Sequence, residues 1–119
     1  MKKVVVTGGN GFIGSNLIKY LLDKDFCVIN IDKCKYSRNS YLLKNIKNKK
    51  YNFFKIDIKD QKIYKIFLKF KPDAIFNLAA ETHVDRSIDN PKDFINTNIL
   101  GTFNILENIR IYEKKFKKK

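Results

Sequence analysis

Four of the five glycines in this 119-residue chain fall within residues 8–14, in the run Thr7-Gly8-Gly9-Asn10-Gly11-Phe12-Ile13-Gly14. Ahead of the run stands Val4-Val5-Val6, a short β-branched stretch; behind it Ile13, Leu17, Ile18, Leu21 and Leu22 recur at helical spacing. The glycines therefore occupy a strand-to-helix bend. Gly9, Gly11 and Gly14 satisfy G-x-G-x-x-G, and Gly8, Gly11 and Gly14 satisfy the variant G-x-x-G-x-x-G. A merely tight turn accounts for a pair of glycines but not for this density. The first ones allow the turn, Gly11 lets the backbone approach a pyrophosphate, and Gly14 lets the helix pack closely on the strand. The open N–H groups and partial positive charge at the helix N-terminus then hold phosphates.

The rest of the chain repeats the alternation of strand and helix. Cys27-Val28-Ile29-Asn30-Ile31 reads as a second strand, followed by a polar loop from Lys33 to Asn39 and a short helix around Leu42, Leu43 and Ile46. Phe53, Phe54 and Ile56 mark a third strand, and Asp60 caps a helix whose buried face carries Ile63, Ile66, Phe67 and Phe70. Pro72 ends that helix, Ala74 to Leu78 form a fourth strand, and Asn90-Pro91 opens a fourth helix. Its apolar positions Phe94, Ile95, Ile99, Leu100, Phe103, Leu106 and Ile109 are dense enough to press against a sheet or a neighbouring subunit. Four βα units predict an α/β fold: the N-terminal half of a Rossmann-type doubly wound parallel sheet, strand order 3-2-1-4. Residues 1–112 make up this partial dinucleotide-binding domain, and 113–119 a lysine-rich tail. With nothing beyond the fourth strand, an apolar edge is expected to lie open and the chain to be marginally stable or self-associating.

The expected acidic partner of the glycine turn is Asp32, at the end of the second strand and eighteen positions after Gly14. A carboxylate there accepts hydrogen bonds from both ribose hydroxyls and repels a 2′-phosphate, which favours NAD over NADP. Lys33, Lys35 and Arg38 follow closely and offer a phosphate some compensation. Asp57-Ile58 closes the third strand, where a side chain either flanks adenine or simply forms a turn. Ala79-Ala80 either clears space where a cofactor crosses the strand ends or packs as small core residues.

Composition excludes several other classes. The net charge of +13, from 25 Lys and Arg against 12 acids, invites a polyanionic partner, but the lysines are spread along the whole chain rather than gathered in one segment. No nucleic-acid partner is expected; the cluster from Lys114 to Lys119 reads as a solvated end. Two cysteines, Cys27 and Cys34, provide neither a disulfide framework nor a metal-ligand spacing and fit a reducing cytoplasm. No apolar run reaches the length of a membrane span. His83 is the only histidine and reads as a loop residue held by hydrogen bonds; Asp85 and Arg86 read as a loop ion pair.

The opening Thr7–Gly14 run resembles that of the extended short-chain dehydrogenase/reductases, which include epimerases, decarboxylases and dehydratases. Leu78-Ala79-Ala80-Glu81-Thr82-His83-Val84-Asp85-Arg86-Ser87-Ile88 narrows the resemblance to the dTDP-glucose 4,6-dehydratases, with Thr where Ser is common. Asp32-Lys33 and Phe94-Ile95-Asn96-Thr97-Asn98-Ile99-Leu100-Gly101-Thr102 match the same family; Cys34-Lys35 and Arg38 depart from its usual Leu-Thr and Gly. The resemblance runs from Val4 to about Tyr112, and the lysine-rich stretch beyond departs from it as a frameshift or premature stop in an A-rich stretch would produce.

That resemblance implies that Gly8, Gly11, Phe12, Ile13 and Gly14 line the pyrophosphate of NAD, that Asp32, Lys33, Cys34 and Lys35 surround the adenosine ribose, and that Asp57 and Ile58 flank adenine. It places Leu78, Ala79, Ala80, Glu81, Thr82 and Thr97 on the cofactor towards its nicotinamide end, with Thr82 also near the sugar of a nucleotide-sugar substrate such as dTDP-glucose. Family members oxidise the hexose at C4, eliminate water across C5 and C6, and reduce C6; the full-length proteins are expected to be homodimers. The reaction requires a Tyr-x-x-x-Lys pair and an acid/base carboxyl pair, which the resemblance places after a fifth strand, so no catalytic residue is expected here. Tyr20/Lys24 and Tyr51/Lys55 have the Tyr-x-x-x-Lys spacing but fall in the first helix and third strand, away from the strand-end crevice. A stand-alone nucleotide-binding module and a fragment of another sugar-nucleotide enzyme are the competing readings.

Overall fold

A computed structural model describes residues 2–33, 43, 46, 48–80 and 88–116. Its strands are β1 (Lys3–Thr7), β2 (Cys27–Ile31), β3 (Tyr51–Phe54) and β4 (Ala74–Asn77), joined by helices α1 (Phe12–Asp23), α2 (Lys62–Phe70), α3 (Pro91–Ile95) and α4 (Thr102–Phe116). All strand pairs are parallel and the order is β3-β2-β1-β4, as the βα alternation requires. The register sets Val4 against Val28 and Ala74, and Thr7 against Ile31 and Asn77, so the C-terminal strand ends align along one crest.

The alternating side chains of β1 and β2 divide the core in two. Val4, Val6 and Val28 face α1, where Ile18, Leu21 and Leu22 fill the space along with Leu43. Val5, Ile29 and Ile31 face the opposite layer, made by Ile63, Ile66 and Phe67 of α2 and Ile105 and Tyr112 of α4, with Ile58. A strand buried on both faces needs apolar residues at every position, which is why Val4-Val5-Val6 shows no polar alternation. Phe67 and Tyr112 meet edge to face at 6.0 Å between ring centres, and the Tyr112 hydroxyl donates to the Pro72 carbonyl.

Helix ends follow local chemistry. The Asp60 carboxylate accepts from the Lys62 N–H at 2.8 Å, the capping expected of it. At the other end of α2 the Lys71 N–H makes the last helical bond, to the Phe67 carbonyl, and the left-handed φ of 50° at Lys71 then turns the chain off the helix axis into Pro72, which prevents continuation. Asn90 accepts from the Asp93 N–H ahead of Pro91, the expected opening of the last helical stretch.

Several boundaries differ from expectation, β4 ending at Asn77 and not Leu78 among them. β3 ends at Phe54 and not Ile56, because its pairing with β2 finishes there, with the Asp32 N–H reaching the Phe54 carbonyl. The fourth helix is not continuous: residues Asn96–Gly101 form a π-helical segment between α3 and α4. The extra residue in that turn puts Thr97, Gly101, Ile105, Asn108 and Tyr112 on the buried side, while Ile95, Ile99, Leu100, Phe103 and Leu106 face outward. The apolar density read from the sequence thus serves two faces. α4 continues past Tyr112 to Phe116, whose ring lies 5.1 Å from that of Tyr112. Most of the expected helix around Leu42 lies outside the described residues.

Candidate functional site

The crest of strand ends opens where β1 gives way to the glycine turn. Thr7 is fully buried there; its hydroxyl donates to Asn77 Oδ1 and accepts from the Ala79 N–H at 3.2 Å, locking the ends of β1 and β4 together. Gly8 follows at φ +69° and donates to the Ile31 carbonyl at 2.8 Å, and a Cβ on it would come 2.7 Å from the Ala79 nitrogen. Only a residue without a side chain fits that approach. Gly11 then donates to the Gly8 carbonyl at 3.1 Å and starts α1 by accepting from Ser15 at 2.9 Å.

Gly14 packs into the turn, where a Cβ would lie 2.7 Å from the Gly9 Cα. At Gly11, by contrast, the one contact that a Cβ would make among the described residues is with the Gly8 carbonyl oxygen, at 3.4 Å. Among them its outer side is open. Gly11 caps α1 without a side-chain hydrogen bond, and the first turn has no acid. The leading amides of the helix, at Phe12 and Ile13, therefore have no carbonyl partner within it, and both side chains stand exposed. Among the described residues, this positive helix end is bordered by backbone with no acid in its own first turn, the arrangement that receives phosphate oxygens.

Beside it, the Asp32 carboxylate accepts from the Asn10 backbone N–H at 2.9 Å, so the acid at the tip of β2 is tied to the turn. Asn10 is held from its other end as well: its Oδ1 accepts from Asn30 Nδ2 at 2.9 Å, and the same nitrogen lies 3.1 Å from the Tyr51 hydroxyl. Asn30 is fully buried with Oδ1 unpaired and pressed against Gly9, so that position too excludes a side chain. These polar groups were missed in the sequence, where Asn30 reads as one polar residue in an apolar strand; its sequence signal is that interruption.

Lys33, the next residue of this rim, places Nζ 3.3 Å from Thr97 Oγ1 and 4.0 Å from the Asp57 carboxylate. The structure thereby gathers Lys33, Asp57 and Thr97 on the β3 side of the crest, with Thr97 buried. Asp57 also makes the turn: its carboxylate accepts from the Lys59 N–H at 3.0 Å and its carbonyl from the Asp60 N–H at 2.9 Å. Ile58 turns inward and is 3% exposed. On the β4 side, Leu78 and Ala80 are exposed and Ala79 half-buried, backed by the Thr7 contacts. Cys34, Lys35, Glu81 and Thr82, like His83, Asp85 and Arg86, lie outside the described residues.

Tyr20 sits exposed near the end of α1 with Lys24 5.7 Å over its ring, and Tyr51 begins β3 under Asn30. Tyr20 belongs to the far half of α1, and the Tyr51 hydroxyl is taken up by the Asn30 amide beneath the glycine turn.

Comparison with known proteins gives a consistent result. The model of the family described as GDP-mannose 4,6 dehydratase matches residues 5–119. A dTDP-glucose 4,6-dehydratase of Haemophilus influenzae is 49% identical over 116 residues, 94% of this chain and 34% of the relative. Among solved structures, a dTDP-glucose 4,6-dehydratase of Streptomyces venezuelae determined with NAD bound superposes with a TM-score of 0.80 at 35% identity, over 89% of this chain and 35% of that one. A UDP-glucose 4-epimerase of Thermus thermophilus, also with NAD, reaches 0.81 at 32% identity, over 92% and 34%. The chain spans about a third of the length of the curated relatives it matches.

Proposed function

This chain belongs to the GDP-mannose 4,6 dehydratase family, and on that premise we propose that it is the NAD-binding portion of a dTDP-glucose 4,6-dehydratase. The observation that carries the reading is the positive, side-chain-free head of α1 lying against a carboxylate that the turn itself holds through Asn10. The residues fit a dinucleotide: Gly11 is open where a pyrophosphate approaches, and Phe12 and Ile13 present their amides. Asp32 receives the adenosine ribose hydroxyls and disfavours a 2′-phosphate, and Asp57 with Ile58 flanks adenine. Leu78, Ala79 and Ala80 border the nicotinamide end, with Glu81 and Thr82 following and Thr82 reaching the hexose. When bound, the nicotinamide supplies a hydride acceptor for C4 and a donor for C6. We assign no catalytic residue within this chain.

The 49% identity to the dTDP-glucose 4,6-dehydratase of Haemophilus influenzae supports dTDP-glucose as the substrate. Exposed Ile95, Ile99, Phe103 and Leu106 offer an apolar face that supports assembly as a homodimer. Among the described residues no helix is long and apolar enough to cross a membrane; with no cysteine framework in the sequence, we place the protein in the cytoplasm.

The test is protection against thermal unfolding. A ligand at about a hundred times its dissociation constant adds roughly 2.7 kcal/mol, so NAD should raise the midpoint well beyond error and NADP much less at equal concentration. Protection by neither, or by NADP preferentially, refutes the proposal.

A further inference from the structure

The corner that follows β3 hangs from an edge strand: among the described residues β3 pairs only with β2, and its last paired residue is Phe54. That pairing stops short of Asp57 and Ile58, and the corner is braced from outside. Asn104, on α4, donates from Nδ2 to the Ile58 carbonyl at 2.6 Å and to the Asp60 carbonyl at 3.2 Å. Asn108, one turn on and buried, donates to the Asn104 carbonyl at 2.8 Å and to its Oδ1 at 3.1 Å. That second bond occupies the oxygen of the Asn104 amide and leaves its nitrogen aimed at the corner. One turn earlier, Gly101 vacates the space that Ile58 fills, since a Cβ there would lie 2.5 Å from Ile58 Cδ1.

We propose that Asn104 is a positioning residue for recognition of the adenine base, fixing Asp57 and Ile58 at the distance from which they read its edge. The inference rests on the reading above that this corner flanks adenine. A carboxylate accepts from the exocyclic amino group of adenine, whereas the oxo group of hypoxanthine brings two acceptors face to face. Discrimination between the two bases depends on where the Asp57 carboxylate stands, and its backbone is set by the hydrogen bonds to its neighbours' carbonyls. A side chain that merely stabilises the fold has no reason to alter that discrimination.

The chain and its Asn104→Asp and Asn104→Leu variants are to be titrated calorimetrically with NAD and with nicotinamide hypoxanthine dinucleotide, at a temperature where circular dichroism shows each folded. Aspartate keeps the shape but cannot donate; leucine keeps the bulk without a charge. The wild-type chain should prefer NAD by about tenfold, the worth of one good hydrogen bond, and both variants should bring the preference to within about threefold. Asn108→Ala, which removes only the buttress, should reduce the preference partway and provides the measurement if both Asn104 variants fail to fold. An unchanged preference in the folded variants overturns the proposal, as does equal affinity of the wild-type chain for the two dinucleotides. Absence of binding by the wild-type chain to either one instead overturns the nucleotide reading on which it rests.

Discussion

Gly14 and Gly11 both belong to the glycine fingerprint, but the structure assigns them different work, and alanine at each should fail differently. At Gly14 a Cβ would fall well inside contact distance of the Gly8 carbonyl oxygen and 2.7 Å from the Gly9 Cα. Both obstacles are backbone, in a turn fastened by the bonds from Gly8 to Ile31 and from Gly11 to Gly8, so α1 must move outward or the turn must open. Overpacking of this kind costs about 1–3 kcal/mol, and loss of one turn hydrogen bond about 1 kcal/mol more. Alanine inside a helix recovers about 1 kcal/mol relative to glycine. The net expectation for Gly14→Ala is a loss of about 1–3 kcal/mol, a fall in melting midpoint of roughly 4 °C or more. At Gly11 the backbone is extended, with φ −75° and ψ 179°, and among the described residues a Cβ meets nothing nearer than 3.4 Å. Gly11→Ala exchanges one capping residue for a poorer one, offset in part by the stiffer unfolded chain, and should lower the midpoint by less than about 4 °C while abolishing the protection given by NAD. Urea and thermal unfolding followed by circular dichroism, with and without NAD, measure both. A Gly14→Ala chain as stable as the parent, or a Gly11→Ala chain still protected by NAD, would refute the division of labour.

Other substitutions address separate parts of the argument. Lys71→Gly removes a non-glycine residue from the left-handed region, at φ 50°, and should stabilise the chain by about 0.5–1 kcal/mol after allowance for glycine's greater freedom when unfolded, read as a raised urea midpoint. Asp32→Ala deletes both the proposed ribose contact and the acceptor of the Asn10 N–H; it should cost about 1 kcal/mol in unfolding experiments and narrow the preference for NAD over NADP in titrations. Arg110, chiefly by hydrogen bonding, holds the Glu107 carboxyl below its ordinary range. A group so depressed lends stability above its unfolded pKa and loses it as the pH falls through the folded value; the pair is exposed, so Glu107→Gln should leave the neutral-pH midpoint within about 1 °C and show up only as a slightly flatter acid limb.

The order of elements and the glycine turn were legible because they follow from local rules: β-branched runs buried on both faces, apolar spacing along α1 and α2, and residues with no side chain at a sharp bend. Asp32 was found from its spacing to Gly14 and its place at a strand tip. What escaped was whatever depends on a partner distant in the chain. Asn30 looks like an ordinary interruption of β2 until Asn10 and Tyr51 are seen on its amide, and Asn104 looks like a solvated helix residue until the Ile58 carbonyl is seen beneath it. The π-helical segment was invisible for a related reason. The positions from Phe94 to Ile109 contain enough apolar residues to satisfy a helical stripe in more than one phase, so periodicity alone does not reveal an added residue.

That added residue lets one turn of the helix hold more amino acids than an ordinary α-turn, and so decides where the chain's length can change. A straight helix turns about 100° per residue, so a residue lost from α4 itself would rotate everything after it like a misthreaded screw, and Asn108 and Tyr112 would leave the positions from which they meet Asn104 and Pro72. A residue lost between Asn96 and Gly101 has a different fate: the wide turn closes to an ordinary α-turn, and α4 keeps its face towards Ile58 and Phe67. The bulge is slack in an otherwise taut rod, absorbing a one-residue change that the straight part of the helix would pass on to its far end.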